Sequence, residues 1–421
     1  MTGAERVVVV GQGYVGLPVA IRAAEVGYQV VGLDLDERRV AALAEGRSHV
    51  EDIPDARLQA QLSSGAYRVT SDYADADGFD IAVVSVPTPL RETLPDLSFI
   101  ESAAESLGAR LKPGALVILE STTYPGTTEE LFIPILERVS GLTAGTDFHA
   151  GYSPERIDPG NAHWDLQRTP KVVSGIDDAS REKVIAFFSA LVDTVVPVSS
   201  PKEAEMTKLL ENTFRHINIA LVNELAVFAH QLGVDIWESI DAAATKPFGF
   251  MKFTPGPGVG GHCLPVDPSY LSWQVRRELG KTFRFVELAN DVNENMPLYV
   301  VQRIQARLND ESKALRGSRV LLLGLSYKRD TGDVRESPSL HIAEILRQNG
   351  ALVSAVDAHV ADHLWPEGVE RVELDAAALA AHDIAALLVD HTDYDYDLLS
   401  TSTTPIIDTK NRLTGAAIET L

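Results

Sequence analysis

A single cysteine, Cys263, occurs in the chain of 421 residues, inside GPGVGGHCLPVDPSYL, Gly256 to Leu271. The interior of a helix or central strand rejects glycine and proline at this density. A buried structural thiol, the ordinary state of a free cysteine, does not suit such a segment. The pattern predicts a loop that enters a helix at about Pro268, with SYLSWQVRREL as its body. A thiol just before a helix N-terminus has its thiolate favoured by the dipole, and the thiolate is the nucleophile. A second set of residues with chemical spacing opens the chain. Gly11, Gly13 and Gly16 match G-x-G-x-x-G, with Tyr14 and Val15 inside the motif. The first glycine permits a tight turn, the second lets backbone approach a pyrophosphate, and the third lets helix pack on strand. Asp34 stands 18 positions after Gly16, where a carboxylate accepts from a ribose 2′-OH and repels a 2′-phosphate, so NAD is expected rather than NADP. Arg39 lies in the same stretch and is counted among the cofactor contacts. A nucleophilic thiol facing NAD implies that a thiolate adds to an aldehyde, hydride leaves, and water cleaves the thioester to an acid. If the same site first oxidises the alcohol, four electrons pass to two molecules of NAD.

These residues need a scaffold, and the apolar pattern supplies one. Val7 to Val10 form a continuous apolar run, as in a parallel strand covered on both faces. Further strands are expected at FDIAVVSVP, ALVILEST, TPKVVSG and DTVVPVS, alternating with helices, which predicts a doubly wound parallel sheet. From Pro201 to Gly233 the periodicity becomes helical without a breaker. SRVLLLGLSYKRDTGDVRESPSLHIAEILRQNGALVSAVDAH then restarts the opening scheme, ending in Asp357 but lacking G-x-G-x-x-G. The expectation is an α/β protein with two Rossmann-like doubly wound domains joined by a long central helix. Its parts are an NAD-binding domain over 1–200, a central helical dimerisation domain with the cysteine loop over 201–312, and a nucleotide-binding domain over 313–421. Clefts between such domains commonly hold active sites.

Composition sets limits on partners. A net charge of −23 argues against a nucleic-acid binder, which needs clustered Lys and Arg. With 45% apolar and 23% charged residues the chain should fold as a soluble protein. No apolar run approaches the ~20 residues that span a bilayer, and no membrane partner is expected. One cysteine allows no intramolecular disulfide, and the opening lacks a signal-peptide layout, so a cytoplasmic protein is expected. No metal is expected.

In order and spacing, GQGYVGLP, SVPTP, ESTTYPGT, GYSPERIDPGN, KLLENTFRHINIALVNELA, ATKPFGFMKFTPGPGVGGHCLPVDPSYL and YKRDTGDVRESPS resemble the nucleotide-sugar 6-dehydrogenases. This family includes UDP-glucose and UDP-N-acetylhexosamine dehydrogenases. The resemblance implies oxidation of the C6 alcohol of a UDP- or dTDP-hexose to a carboxylate with two NAD, by a homodimer joined through the long helix. It implies Cys263 as nucleophile, and Lys208 and Asn212 as holders of the C6 oxygen. Lys208 and Asn212 share a helix face at i, i+4. It further implies Asp267 as the acid that orients water or shuttles a proton, Thr122 as the residue holding that water, and Glu155 as a base. Pro87, Thr88, Thr122 and Arg335 join the cofactor contacts. Glu155, Arg156, Lys208, Asn212, Phe250, Met251, Lys252, Gly260 and Lys328 form the substrate set, to which Lys410 or Arg412 adds a nucleotide contact. Plainer readings stand beside these: Lys208 as a solvated lysine, Asp267 as a helix cap, Glu155 as structural, His262 as a local hydrogen-bonding residue. Pro159 replaces the second acid typical of UDP-glucose enzymes, and SVPTP and GGHC look more like the N-acetylhexosamine branch. The family's cross-dimer arginine has no clear counterpart in ATKPFGFM. The rival reading is a two-electron β-hydroxyacid dehydrogenase, which needs neither Cys263 nor the second Rossmann unit.

Overall fold

A computed structural model describes residues 5–91, 94–157, 163–261 and 263–421, without the side chains of 263–265. The chain divides into two compact units, Met1–Glu211 and Asn212–Leu421. The first unit opens with β1 (Arg6–Val10), α1 (Gly16–Glu25), β2 (Gln29–Leu33), α2 (Glu37–Ala44), α3 (Asp55–Ser64), β3 (Tyr67–Thr70) and β4 (Ile81–Val84). A short ribbon, β5 (Leu90–Arg91) with β6 (Leu94–Pro95), precedes α4 (Ser98–Gly108), β7 (Leu116–Leu119), α5 (Ile133–Ser140) and β8 (His149–Tyr152). β9 (Lys171–Gly175), α6 (Asp178–Leu191) and β10 (Val195–Pro197) lead into the long helix α7 (Pro201–Leu232), whose proline opening suits a helix start.

The sheet order is β10-β9-β8-β7-β4-β1-β2-β3. From β3 to β8 every neighbour is parallel. The expected doubly wound parallel sheet carries one exception at its far end, where β9 pairs with β8 antiparallel, Gly151 opposite Gly175. A parallel return needs a crossover of a dozen or more residues, usually a helix. The described part of the β8–β9 connection has none, so the chain turns back. α6 then supplies the crossover that makes β10 parallel to β9. Val7 and Val9 of β1 belong to one buried cluster with Leu17 and Ile21 of α1 and Phe187 and Phe188 of α6, each such side chain contributing about 1.5–3 kcal/mol by leaving water.

The second unit continues α7 and adds α8 (Ile236–Ala244), α9 (Cys263–Leu279) and α10 (Arg284–Asp310). Its sheet follows through β11 (Arg319–Leu323), α11 (Pro338–Gln348), β12 (Leu352–Val356), β13 (Glu370–Arg371), α12 (Ala376–Ala380), β14 (Ile384–Leu387), α13 (Tyr396–Ser400), β15 (Ile406–Asp408) and β16 (Ile418–Thr420). The strand order, β13-β12-β11-β14-β15-β16, is parallel throughout. The helix expected from about Pro268 begins earlier, at Cys263. Pro265 falls in the first turn, where no intrahelical N–H bond is lost, and Pro268 forfeits one bond only. Cys263 is therefore the first helical residue rather than part of the preceding loop, still at the positive end of the dipole.

Asp357, just past β12, anchors this unit. Its Oδ2 accepts from the Leu325 and Ser326 amides at 2.8 and 3.1 Å, and its Oδ1 from those of His359 and Val360 at 3.0 and 3.2 Å. The Asp330 amide donates to Nδ1 of the fully buried His391, so the ring's proton sits on Nε2 and is donated to Asp357. Burial opposes ionisation of Asp357, but His391 and the amides outweigh it and hold the carboxyl at about 2, below its ordinary 3.8. A depressed folded value means stability present above the ordinary value and lost as pH falls through the folded one. Asp357→Asn is expected to cost about 2 kcal/mol at neutral pH and to flatten the stability loss between about pH 4 and pH 2. Unfolding midpoints measured across that range check both effects.

Candidate active site

In the first unit the glycine turn joins β1 to α1. Gly11 has φ +89°, and a Cβ there would meet the Ser85 carbonyl oxygen at 2.1 Å. A Cβ on Gly16 would fall 1.8 Å from the Gly11 oxygen. Around Gly13 a Cβ would meet nothing within 4 Å, so this backbone faces open space. Asp34, buried just past β2, accepts from the Gln12 amide at 2.8 Å, the Asp36 amide at 2.9 Å and Arg39 Nη1 at 2.8 Å. Arg39, counted as a cofactor contact, is thus tied to the acid expected at the ribose. Gln12 is fully buried; its Nε2 donates to Val9 O at 2.8 Å and its Oε1 accepts from Tyr67 OH at 2.8 Å. Gly32 leaves the room for that pair, since its Cβ would lie 2.5 Å from Gln12 Oε1. Open backbone at Gly13, the start of α1 and the buried Asp34 fit the pyrophosphate and ribose of NAD. Tyr14 and Val15 line the turn half-buried, while Pro87 is exposed and Thr88 buried after β4. Ser121 pins that segment beside Thr122: its Oγ accepts from the Val86 amide and donates to the Val86 carbonyl, both at 2.8 Å.

Glu155 lies three residues past β8 and is buried. Its Oε1 accepts from the Ile157 amide, and its Oε2 is 3.7 Å from the Lys171 ammonium. The neighbouring Arg156 is engaged within the protein, pairing with Glu211 at 2.6 Å and donating to Pro170 O at 2.6 Å. Lys208 is buried on α7, and no hydrogen bond or ion pair holds its ammonium among the described residues. Glu205, three residues earlier, is fully buried and accepts from Gly126 N, Thr128 N and Thr128 Oγ1 at 2.6, 2.9 and 2.6 Å. Burial raises its carboxyl to about 7. The clasp ties the loop after Thr122 to the helix of Lys208.

In the second unit Asn212 Nδ2 donates to Asp267 Oδ2 at 2.5 Å, and Asp267 is buried one turn beyond Cys263 on α9. His262 and the Cys263 side chain lie outside the described residues. The glycine loop is held from two sides. Gly261 N donates to Arg335 O at 3.0 Å, and a Cβ on Gly260 would strike Tyr327 at 2.7 Å. Gly256 N donates to Asn223 Oδ1 at 2.9 Å, and Asn223 Nδ2 to Asn293 Oδ1 at 2.9 Å. His216 beside them shares a 2.7 Å hydrogen bond with Asn290. Phe250 and Met251 are exposed, and Lys252 pairs with Asp241. Lys328 is half-buried after β11, while Arg335 grips Asp333 at 2.6 Å. Lys410, past β15, stands beside Gly256, whose Cβ would be 3.7 Å from its Nζ. Burial lowers that ammonium to about 8. Asp330, His359, His391 and Asp393 offer donor atoms within 4.8 Å of one another. Both nitrogens of His391 already serve the fold through Asp330 and Asp357.

Residues 5–192 match the NAD binding domain of the UDP-glucose/GDP-mannose dehydrogenase family, 202–295 its central domain and 321–415 its UDP binding domain. The chain belongs to this family. As a UDP-glucose/GDP-mannose dehydrogenase family member it is an NAD-dependent oxidoreductase acting on a CH–OH donor. UDP-N-acetyl-D-mannosamine dehydrogenase of Pyrococcus horikoshii is 37% identical over 356 residues, 84% of each chain. UDP-N-acetyl-D-glucosamine 6-dehydrogenase of Pseudomonas aeruginosa is 36% identical over 395 residues, 92% of this chain and 91% of that one. A solved UDP-D-ManNAc dehydrogenase from Pyrococcus horikoshii superposes with a TM-score of 0.89 at 33% identity, covering 99% of this chain and 98% of that chain. No described helix is long and apolar enough to cross a membrane.

For this family member, Asp34→Ala removes the acceptor for Gln12 and frees Arg39. It is expected to lower kcat/KM with NAD by about tenfold to a hundredfold, the size of a lost charged hydrogen bond. The NADP-to-NAD ratio should rise at the same time, because the repelling carboxylate is gone. Initial rates with both cofactors check the two effects together.

Proposed function

We propose that this dehydrogenase oxidises the C6 alcohol of a UDP-N-acetylhexosamine to the carboxylate through intermediates covalently bound to Cys263. The observation that carries the reading is the Asn212–Asp267 hydrogen bond, which couples an amide of α7 to a buried acid one turn from the chain's only cysteine. NAD, when bound, accepts hydride from C6. The alcohol oxidation releases one proton and the later hydrolysis of the thioester two, and Glu155, or Asp267 through water, passes them to solvent. Lys208 and Asn212 stabilise the oxygen as charge develops; a buried ammonium with no partner among the described residues suits that task. The Cys263 thiolate adds to the aldehyde carbon, forming C–S and leaving the charge on oxygen. A second hydride loss gives the thioester. Water held by Thr122 attacks it, the C–S bond breaks, and the thiolate returns with the carboxylate as product.

Two relatives named for UDP-N-acetyl sugars, with SVPTP and GGHC, support the N-acetylhexosamine class. The UDP binding domain match supports UDP over dTDP and opposes the two-electron β-hydroxyacid reading. Arg335 serves the NAD pyrophosphate, Lys328 the sugar diphosphate, and Lys410 or Arg412 the nucleotide. The working division remains 1–200, 201–312 and 313–421, in a cytoplasmic homodimer. Leu210, Phe214, Leu221, Leu225 and Phe228 of α7 are exposed at helical spacings, an apolar row that a second copy of α7 would cover.

Cys263→Ser keeps size and hydrogen bonding but offers little alkoxide at neutral pH. The variant should bind NAD and nucleotide sugar yet stop at the aldehyde or as a covalent adduct, read by intact-protein mass spectrometry; turnover to the acid at wild-type rate would sink the thiol's role. Light scattering should give twice the chain mass of 45.6 kDa, and a fully active monomer would end the dimer proposal.

A further inference from the structure

At the carboxyl end of the first sheet, Glu120 follows β7, Glu155 follows β8, and Lys171 opens β9. Only because β9 runs antiparallel does its first residue arrive at that end. The Lys171 ammonium pairs with Glu120 Oε1, donates to Pro154 O at 3.1 Å, and lies 3.7 Å from Glu155 Oε2. Lys171 is 3% exposed and Glu120 0%. One oxygen of each carboxylate, Glu120 Oε2 and Glu155 Oε2, has no hydrogen-bond partner among the described residues. From α6 the group is faced by the Phe188 ring, 5.2 Å from the ammonium. Arg156, beside Glu155, is committed to Glu211 of α7.

We infer that Lys171 is a positioning residue that keeps the Glu155 carboxylate charged and aimed, with Glu120 as the competing acceptor that sets how strongly. One buried cation cannot fully compensate two buried anions, so Glu120 and Glu155 compete for the Lys171 ammonium. Burial and the Glu155 charge push the Glu120 carboxyl up to about 7, with Lys171 opposing them. The inference rests on Glu155 acting as a base.

The test is the pH dependence of kcat/KM for NADH formation in four forms: wild type, Glu120→Gln, Lys171→Met and Glu155→Gln. Glu120→Gln leaves the ammonium to Glu155 alone, so the acidic limb should move down by about one pH unit or more. Lys171→Met removes the cation that favours the charged form of Glu155, so the limb should move up by a similar amount, as expected for charges this close. If Lys171→Met does not fold, Glu120→Gln/Lys171→Met takes its place, with its limb expected above that of Glu120→Gln. A purely structural group would lower activity without moving the limb, and unmoved limbs beside an inactive Glu155→Gln overturn the inference alone. A fully active Glu155→Gln overturns the base assignment itself.

Discussion

In each half of the chain a carboxylate past the second strand accepts backbone N–H groups from the turn that ends the first. Asp34 takes the amide of Gln12, and Asp357 those of Leu325 and Ser326. A turn at the end of a buried parallel strand leaves amides with no ladder partner, and orphaned buried amides are costly. The acid satisfies them, and they in turn satisfy a buried charge that would otherwise be expensive. The position of every ligand-facing group on those turns depends on this mutual dependence.

The two halves diverge in what the clamp leaves over. Around Asp34 the turn keeps Gly13 open, and Gln12 is locked by Tyr67, so backbone is free to meet a pyrophosphate. Around Asp357 four amides and His391 use the acceptor sites, so no ribose contact of the dinucleotide kind is left. Instead the second unit sets lysines past its strands, Lys328 after β11 and Lys410 after β15. The weakened hydration of Lys410 suits an anionic ligand better than water. The same architecture thus supports an NAD binding domain in one half and a UDP binding domain in the other.

Much of this was legible in the sequence where the signal is local. The glycine turn, Asp34, the long helix and the restart ending at Asp357 are patterns of spacing within one element or its neighbour. Other features depend on residues far apart. The antiparallel entry of β9 follows from a connection without a crossover helix, and nothing in TPKVVSG reports strand direction. Lys171 therefore read as a strand residue, although it meets Glu120 across 51 positions. Gln12 and Tyr67, 55 positions apart, and Asn223 with Asn293, 70 apart, are buried polar pairs within otherwise apolar patterns. The signal that could have revealed them is an amide or hydroxyl on a face that should be apolar. α9 begins at Cys263 rather than near Pro268 because a first-turn proline such as Pro265 loses no intrahelical bond, so proline does not mark the start.

The central claim is that one site carries the alcohol to the acid without releasing the aldehyde, the cysteine holding the carbon between two oxidations. The most direct measurement is the amount of NADH formed per sugar when a limiting UDP-N-acetylhexosamine is consumed to completion with excess NAD, with the carbon product identified. The account predicts two NADH and a uronic acid for each sugar. One NADH with free aldehyde as the end product would contradict it.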